Sequence, residues 1–121
     1  MRKYLLHILI ISFVVLLAPT AHVATYAGEL EDAKEKVRKY PDDALAHFFL
    51  GLAYCDSGKY EEAIESYKQA IRIKSDFALA HFNLGLAYLC LNDRGSAMEQ
   101  YKILKNLDTE LANKLFNVIY E

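Results

Sequence analysis

Apolar side chains recur at helical spacing along residues 60–73. Positions 60, 63, 64, 67 and 71 fall on one side of a helix, because each turn takes three to four residues. The positions between them carry mostly Glu, Lys and Arg, which suits a face in contact with water. A Ser-Gly-Lys break precedes the segment, and Gly58 can take the left-handed conformation that ends a helix. The pattern predicts an amphipathic helix that begins near Tyr60 and buries one face.

The segment before this break, Ala44 to Cys55, is apolar on nearly every side. It is too long for an ordinary strand and contains no Gly/Pro cluster, so we predict a second helix. A helix that is apolar all round needs cover on both sides. One side is expected to pack on the partner helix. The other is covered either by the chain's own flanking helices or by a binding partner.

The two predicted helices form a unit that occurs twice. A shift of 34 residues aligns 44–73 with 78–107 and gives 14 identities over 30 pairs, against roughly two expected from average composition. Ala-Leu-Ala-His-Phe at 44–48 recurs at 78–82, and Leu-Gly-Leu-Ala-Tyr at 50–54 recurs at 84–88. A fixed period of this length indicates a helical-repeat protein.

The repeated unit resembles the tetratricopeptide repeat (TPR) family, whose pattern sets Leu-Gly, Tyr, Ala and aromatic residues at fixed spacing over about 34 residues. The first copy carries Leu50-Gly51, Tyr54, Gly58, Tyr60, Ala63, Tyr67 and Ala70, and the second carries Leu84-Gly85, Tyr88, Ala97 and Tyr101. The copies depart from the pattern at His47, His81 and Ser75, and the second departs further at Asn92, Arg94 and Leu104. We expect the last three departures to loosen the turn and the packing of the second copy.

The resemblance implies an all-α fold, an α-α helical-repeat solenoid with two TPR units at 44–77 and 78–111. Residues 26–40 align with 60–74, the second half of the first unit, so residues 28–43 are expected to form a flanking half-repeat helix. An apolar stripe after Asp108-Thr109 predicts a C-terminal capping helix, assigned to 112–121. About three repeat-equivalents are needed to bury the helix faces, and this chain reaches that number.

In the TPR family the leading helix of each unit lines a concave groove that binds partners. Relatives that bind chaperone tails place Lys, Arg and Asn there to hold a carboxylate, whereas this chain has mainly Leu and Phe. The resemblance therefore favours an apolar partner segment, or a second copy of the chain, over an acidic tail. By this resemblance the groove residues are Leu45, Phe48, Phe49, Leu52, Leu79, Phe82, Asn83 and Leu86.

Residues 1–27 have the composition of an export segment. Arg2 and Lys3 precede an apolar run of 14 residues from Leu5 to Ala18, and small residues follow Pro19. This order is typical of a secretory signal peptide, with cleavage expected after Ala27. The alternative is an uncleaved membrane anchor with the repeat domain outside, since about 20 residues span a bilayer. Either way, we expect the domain to be exported, to the periplasm or out of the cell.

Composition mainly excludes function classes. The chain has 14 Lys and Arg against 16 Asp and Glu, a net charge of −2, so no basic footprint points to nucleic acid. His47 and His81 are expected to pack rather than bind metal, because no further ligands stand at suitable spacing. Cys55 and Cys90 are expected to be small buried side chains, since neighbouring helices strain the reach of a disulfide. With no catalytic or cofactor-binding motif, the sequence predicts no enzyme activity, no metal and no cofactor.

These features predict an exported protein–protein interaction module, a scaffold or assembly adaptor, that binds another protein or peptide through an apolar groove. Self-association through the same face is a further form of this prediction. The alternative is a carrier that holds an apolar small ligand or a lipid in the groove. A helical-repeat fold by itself does not name the partner.

Overall fold

The computed structural model describes residues 25–121, and this part of the chain is all-α. Helix α1 covers residues 25–39, and five helices follow: α2 (Ala44–Asp56), α3 (Tyr60–Ile73), α4 (Ala78–Cys90), α5 (Arg94–Leu107) and α6 (Thr109–Tyr120). The predicted all-α helical-repeat fold is confirmed. Most of the predicted export segment, residues 1–24, lies outside the described residues. Within residues 25–121, no helix combines the length and the apolar character needed to cross a membrane.

Side-chain caps fix the start of three helices. The Asp93 carboxylate accepts the backbone N–H of Ser96 at 3.0 Å and caps α5. The Asp43 carboxylate accepts the backbone N–H of Leu45 at 2.9 Å, which caps α2. The Asp108 carboxylate accepts the N–H of Leu111 at 3.0 Å and caps α6 in the same way. These bonds satisfy backbone donors that the first turn of a helix leaves without partners. Helix α6 begins at Thr109, directly after Asp108, three residues before the start assigned to the capping helix from the sequence.

The turns that end α2 and α4 are equivalent. Gly58 has φ +73° and Asn92 has φ +60°, so both occupy the left-handed region. In each turn the next N–H donates to a Tyr carbonyl at 2.8 Å, from Lys59 to Tyr54 and from Asp93 to Tyr88. The expectation of a looser second turn is therefore wrong. After Gly, Asn is among the residues that tolerate this conformation best, which is why the turn is kept.

Three buried clusters follow one another along the stack. The first joins α1 to α2 through Leu30, Ala33, Leu50 and Ala53. The second lies between α2, α3 and α4 around the fully buried Tyr67. The third lies between α4, α5 and α6 around Leu104 and Leu115, both fully buried. Leu104 thus fills the core of the second copy, although it departs from the family pattern.

Two glycines let helices approach closely. A Cβ atom on Gly51 would overlap the Tyr67 ring, and one on Gly85 would lie 2.7 Å from Leu115 Cδ2. Real Cβ atoms do not come this close, so a larger residue would force the helices apart. The Leu-Gly pair that the two copies share therefore places a small residue at each close helix contact.

Candidate functional site

The candidate site is the groove between α1 and α2. One wall comes from α1 and the turn after it, at positions 29, 32, 33, 36 and 40, which recur at helical spacing. These positions face α2 at positions 45, 49, 52 and 56. Two adjoining cavities, of about 330 and 290 Å³, lie along this line and share Lys36 and Phe49. We call this surface the α1–α2 groove. Its lining residues are Glu29, Asp32, Ala33, Lys36, Tyr40, Asp43, Leu45, Ala46, Phe49, Leu52, Ala53 and Asp56.

The floor of the α1–α2 groove is apolar and open to solvent. The side chains of Leu45 and Phe49 are 53% and 50% exposed. Leu52 is half-buried, because it also packs against the central cluster. Helix α1 packs on α2 through Leu50 and Ala53, and Ala53 also lines the groove. The flanking helix therefore covers part of this all-apolar helix and leaves a second stripe uncovered.

Phe48 was predicted to line the groove, but the structure places it in the core, where it is only 8% exposed. Its ring centroid lies 5.0 Å from that of Phe77 and 5.9 Å from that of Tyr67. Phe77 comes from the connection between α3 and α4, so the next repeat covers this side of α2. Phe48 is thus a packing residue, and its neighbour Phe49 presents the accessible ring.

The groove residues predicted in the second copy lie on α4, away from these two cavities. Leu79 is 49% exposed, and the Asn83 side-chain amide donates to the Leu79 carbonyl at 2.9 Å. Phe82 and Leu86 are half-buried against the C-terminal cluster. Of the eight predicted residues, the α1–α2 groove brings together Leu45, Phe49 and Leu52.

Sequence reasoning missed the wall that α1 contributes. Glu29, Asp32, Lys36 and Tyr40 form a stripe with spacings of three, four and four residues, which is the period of one helix face. That spacing was available in the sequence. The stripe is polar, whereas the family resemblance assigns the groove to apolar positions of the leading helices, so it did not point to these residues.

Charge is distributed unevenly along the α1–α2 groove. Glu29, Asp32 and Asp56 line the cavity at one end, together with Lys36. At the other end Asp43 is engaged as the cap of α2. Nearby, the Lys39 ammonium lies 5.3 Å from the centroid of the Tyr40 ring. One end of the groove therefore carries more negative charge than the other.

Ion pairs elsewhere on α1 do not reach this acidic end. Glu31 pairs with Lys34, and Glu35 with Arg38, both on exposed surface. The Lys34 ammonium donates to Glu31 and lowers the pKa of that carboxyl. Among residues 25–121, no salt bridge involves Glu29, Asp32 or Asp56. The acidic end thus keeps its negative charge free of neutralising side-chain pairs.

A third cavity, of about 420 Å³, lies on the other side of α1 and α2, against α3. Its residues include Val37, Leu50 and Tyr54, with Glu61, Glu62 and Glu65 among the polar ones. His47 also lines it, and its Nε2–H donates to the Pro41 carbonyl at 2.7 Å.

The matching position in the second copy is filled by a longer side chain. The Gln100 amide lies 2.8 Å from Nδ1 of His81, which is 5% exposed and whose Nε2–H donates to the Ser75 carbonyl. In the first copy Ser66 stands where the second has Gln100, and its hydroxyl turns back to the Glu62 carbonyl. We attribute the cavity to this shorter residue.

Comparisons with known proteins agree with this architecture. Residues 51–91 match the family model described as TPR repeat. The matches support the TPR repeat family. A TPR2B domain of yeast Sti1, solved as a complex with pHsp70, has a TM-score of 0.73 at 20% identity, covering 80% of this chain and 82% of its own. The second TPR domain of human RPAP3, solved with the HSP70 peptide SGPTIEEVD, has a TM-score of 0.74 at 22% identity, covering 81% and 83%. At these identities the likeness shows the TPR fold, and the comparison with curated proteins gave no match.

The two cysteines of the helical stack have different surroundings. Cys55 is partly buried, and its Sγ lies 3.6 Å from the Tyr67 hydroxyl. Burial raises the pKa of the Cys55 thiol and also that of the Tyr67 hydroxyl. Cys90 is exposed, so the expectation that both are buried hydrophobic residues is wrong for it. Both thiols are free, and residues 25–121 hold no group of three or more His, Cys, Asp or Glu that could bind a metal.

Proposed function

We propose that this chain is a protein-interaction module whose α1–α2 groove binds an apolar segment of a partner protein. The half-exposed Leu45 and Phe49, side by side on the floor of an open groove, carry the proposal. Burial of this exposed apolar surface by a partner contributes a favourable free energy of about 25 cal/mol per Å². The two TPR domains of similar fold were each solved with an Hsp70-derived partner, which supports peptide binding as the class of activity.

The ligand of this chain is expected to differ from the one named for the human domain. That peptide, SGPTIEEVD, carries three acidic residues near its end. An acidic tail needs clustered cations, whereas the α1–α2 groove offers Leu45, Phe49 and Leu52 with carboxylates at the rim. The proposed ligand is therefore a segment that binds chiefly through apolar side chains.

Replacing Leu45 and Phe49 together by Gln tests this proposal. A loss of binding free energy of about 2 kcal/mol is expected, the size typical of a central interface residue, which is roughly a 30-fold weaker Kd. The measurement is capture of the partner from the host by the full chain, followed by titration of the captured protein. Far-UV circular dichroism should stay unchanged, because both side chains are half exposed.

The matched control replaces Leu107 and Val118 by Gln. These residues are 38% and 43% exposed and lie on α5 and α6. Capture should survive in this variant. Equal loss in both variants would contradict a specific role for the groove. Native mass spectrometry of the host protein also separates the alternatives, because a bound lipid in place of a partner protein would favour a carrier.

We also propose that the domain is exported. This rests on the sequence of residues 1–27, with Arg2 and Lys3 before an apolar run and small residues before Ala27. N-terminal sequencing of the protein recovered outside the cytoplasm should begin at Gly28. An intact Met1 on protein in the membrane fraction would instead favour the anchored form, and recovery only from the cytoplasm would contradict export.

A further inference from the structure

We infer that the segment bound in the α1–α2 groove is amphipathic and basic, with Lys or Arg placed next to its apolar side chains at the Glu29–Asp32–Asp56 end. This inference rests on the proposed function, because it describes the ligand of the same groove. It specifies the charge of that ligand and where its cations lie.

The first observation is the charge around one cavity. Glu29, Asp32 and Asp56 line it with Lys36 as the single cation. Among the described residues, these three carboxylates take part in no salt bridge, whereas Glu31 and Glu35 on the same helix are paired. A cationic ligand can therefore approach these carboxylates without breaking a salt bridge among the described residues, with Lys36 in the same cavity and Lys59 beside Asp56 in the adjoining one.

The second observation is the position of Asp56. It is the last residue of α2, and the last turn of that helix contains no basic residue. The C-terminal end of a helix carries a partial negative charge from its aligned peptide dipoles, and at the end of α2 the last carbonyls also accept N–H groups of the following turn. The helix end and the Asp56 carboxylate thus both contribute negative electrostatic potential at this place, and both attract a cation of the ligand.

The third observation is the apolar strip beside these carboxylates. Ala33, Phe49 and Leu52 line the same cavity as the three acidic residues. A segment that buries apolar side chains on Phe49 and Leu52 would bring its flanking residues to the acidic end. Charge complementarity at an interface mainly selects among partners and speeds association, so we expect it to decide which apolar segments bind.

Three synthetic amphipathic peptides test the inference. They share one Leu/Phe face and differ only in the flanking residues, which are Lys, Gln or Glu. Fluorescence anisotropy with the full chain at low salt should give about tenfold tighter binding for the Lys peptide than for the Glu peptide. The difference should shrink as NaCl rises towards 0.5 M, because salt screens charges at an exposed rim.

A triple variant, Glu29→Gln with Asp32→Asn and Asp56→Asn, should remove most of the preference for the Lys peptide. The matched control neutralises three acidic residues elsewhere, Asp76→Asn with Glu99→Gln and Glu110→Gln, and should keep the preference. Both variants change the net charge by the same amount, so the comparison isolates position from total charge. Far-UV circular dichroism verifies that each is folded.

The outcomes separate this inference from the proposed function. Equal binding of the three peptides, lost in the Leu45→Gln/Phe49→Gln variant, would overturn the inference and leave the groove as the binding site. A preference that persists in the triple variant would also overturn it, because the cations would then act elsewhere. Failure of all three peptides to bind would count against both.

Discussion

Gly51 shows how a single residue sets the distance between α2 and α3. Replacing it by Ala would overlap the Tyr67 ring, and overpacking of a tight core costs about 1–3 kcal/mol. Ala favours a helix over Gly by about 1 kcal/mol, so a net loss of up to about 2 kcal/mol is expected for Gly51→Ala. Urea denaturation followed by circular dichroism measures it.

The control is Gly28→Ala, since a Cβ there meets nothing within 4 Å. That change should raise stability by up to about 1 kcal/mol through helix propensity alone. Similar stability changes in the two variants would contradict a steric role for Gly51.

Adjacent residues also mark the limit of sequence-based prediction. Phe48 and Phe49 are chemically identical, yet one is 8% and the other 50% exposed. The helix they belong to is apolar all round, so its pattern cannot say which side remains open. Phe77, which approaches from the connection before α4, decides it. Tyr60 and Gly58, by contrast, were predicted correctly because helix boundaries depend on local signals.

At the scale of the helix, the two copies differ in how they fill the space beside their His residues. Ser66→Gln in α3 should fill part of the 420 Å³ cavity and reach His47, as Gln100 reaches His81. One added hydrogen bond is worth about 0.5–1.5 kcal/mol, so the unfolding midpoint in urea should rise.

The reciprocal change, Gln100→Ser in α5, leaves His81 Nδ1 without its side-chain partner, and His81 is only 5% exposed. A loss of about 1–3 kcal/mol is expected for an unsatisfied buried polar group. If neither variant moved the unfolding midpoint, the assigned cause of the cavity would be wrong. The Ser/Gln difference between the copies is visible in the sequence. Its effect depends on a contact between His81 and Gln100, which are 19 residues apart and lie on different helices.

For the whole molecule, stability comes from a short stack in which each helix is covered by few neighbours. Leu115 of α6 is fully buried and packs over Gly85 of α4. Leu115→Ala should cost about 2–5 kcal/mol, the range for deleting a buried Leu side chain. In so short a stack, we expect one cooperative urea transition at lower denaturant. Selective loss of α6, seen as a separate early transition, would contradict this view.

The one-residue connection at Asp108 has a mechanical consequence. Its backbone N–H donates to the Leu104 carbonyl at the end of α5, while its carboxylate caps α6. A single residue therefore joins α5 to α6 and is bonded to both helices, whereas four residues separate α3 from α4. We therefore expect α5 and α6 to move as one rigid unit, so that a displacement of α6 also displaces α5. An insertion at 108 should therefore be resisted.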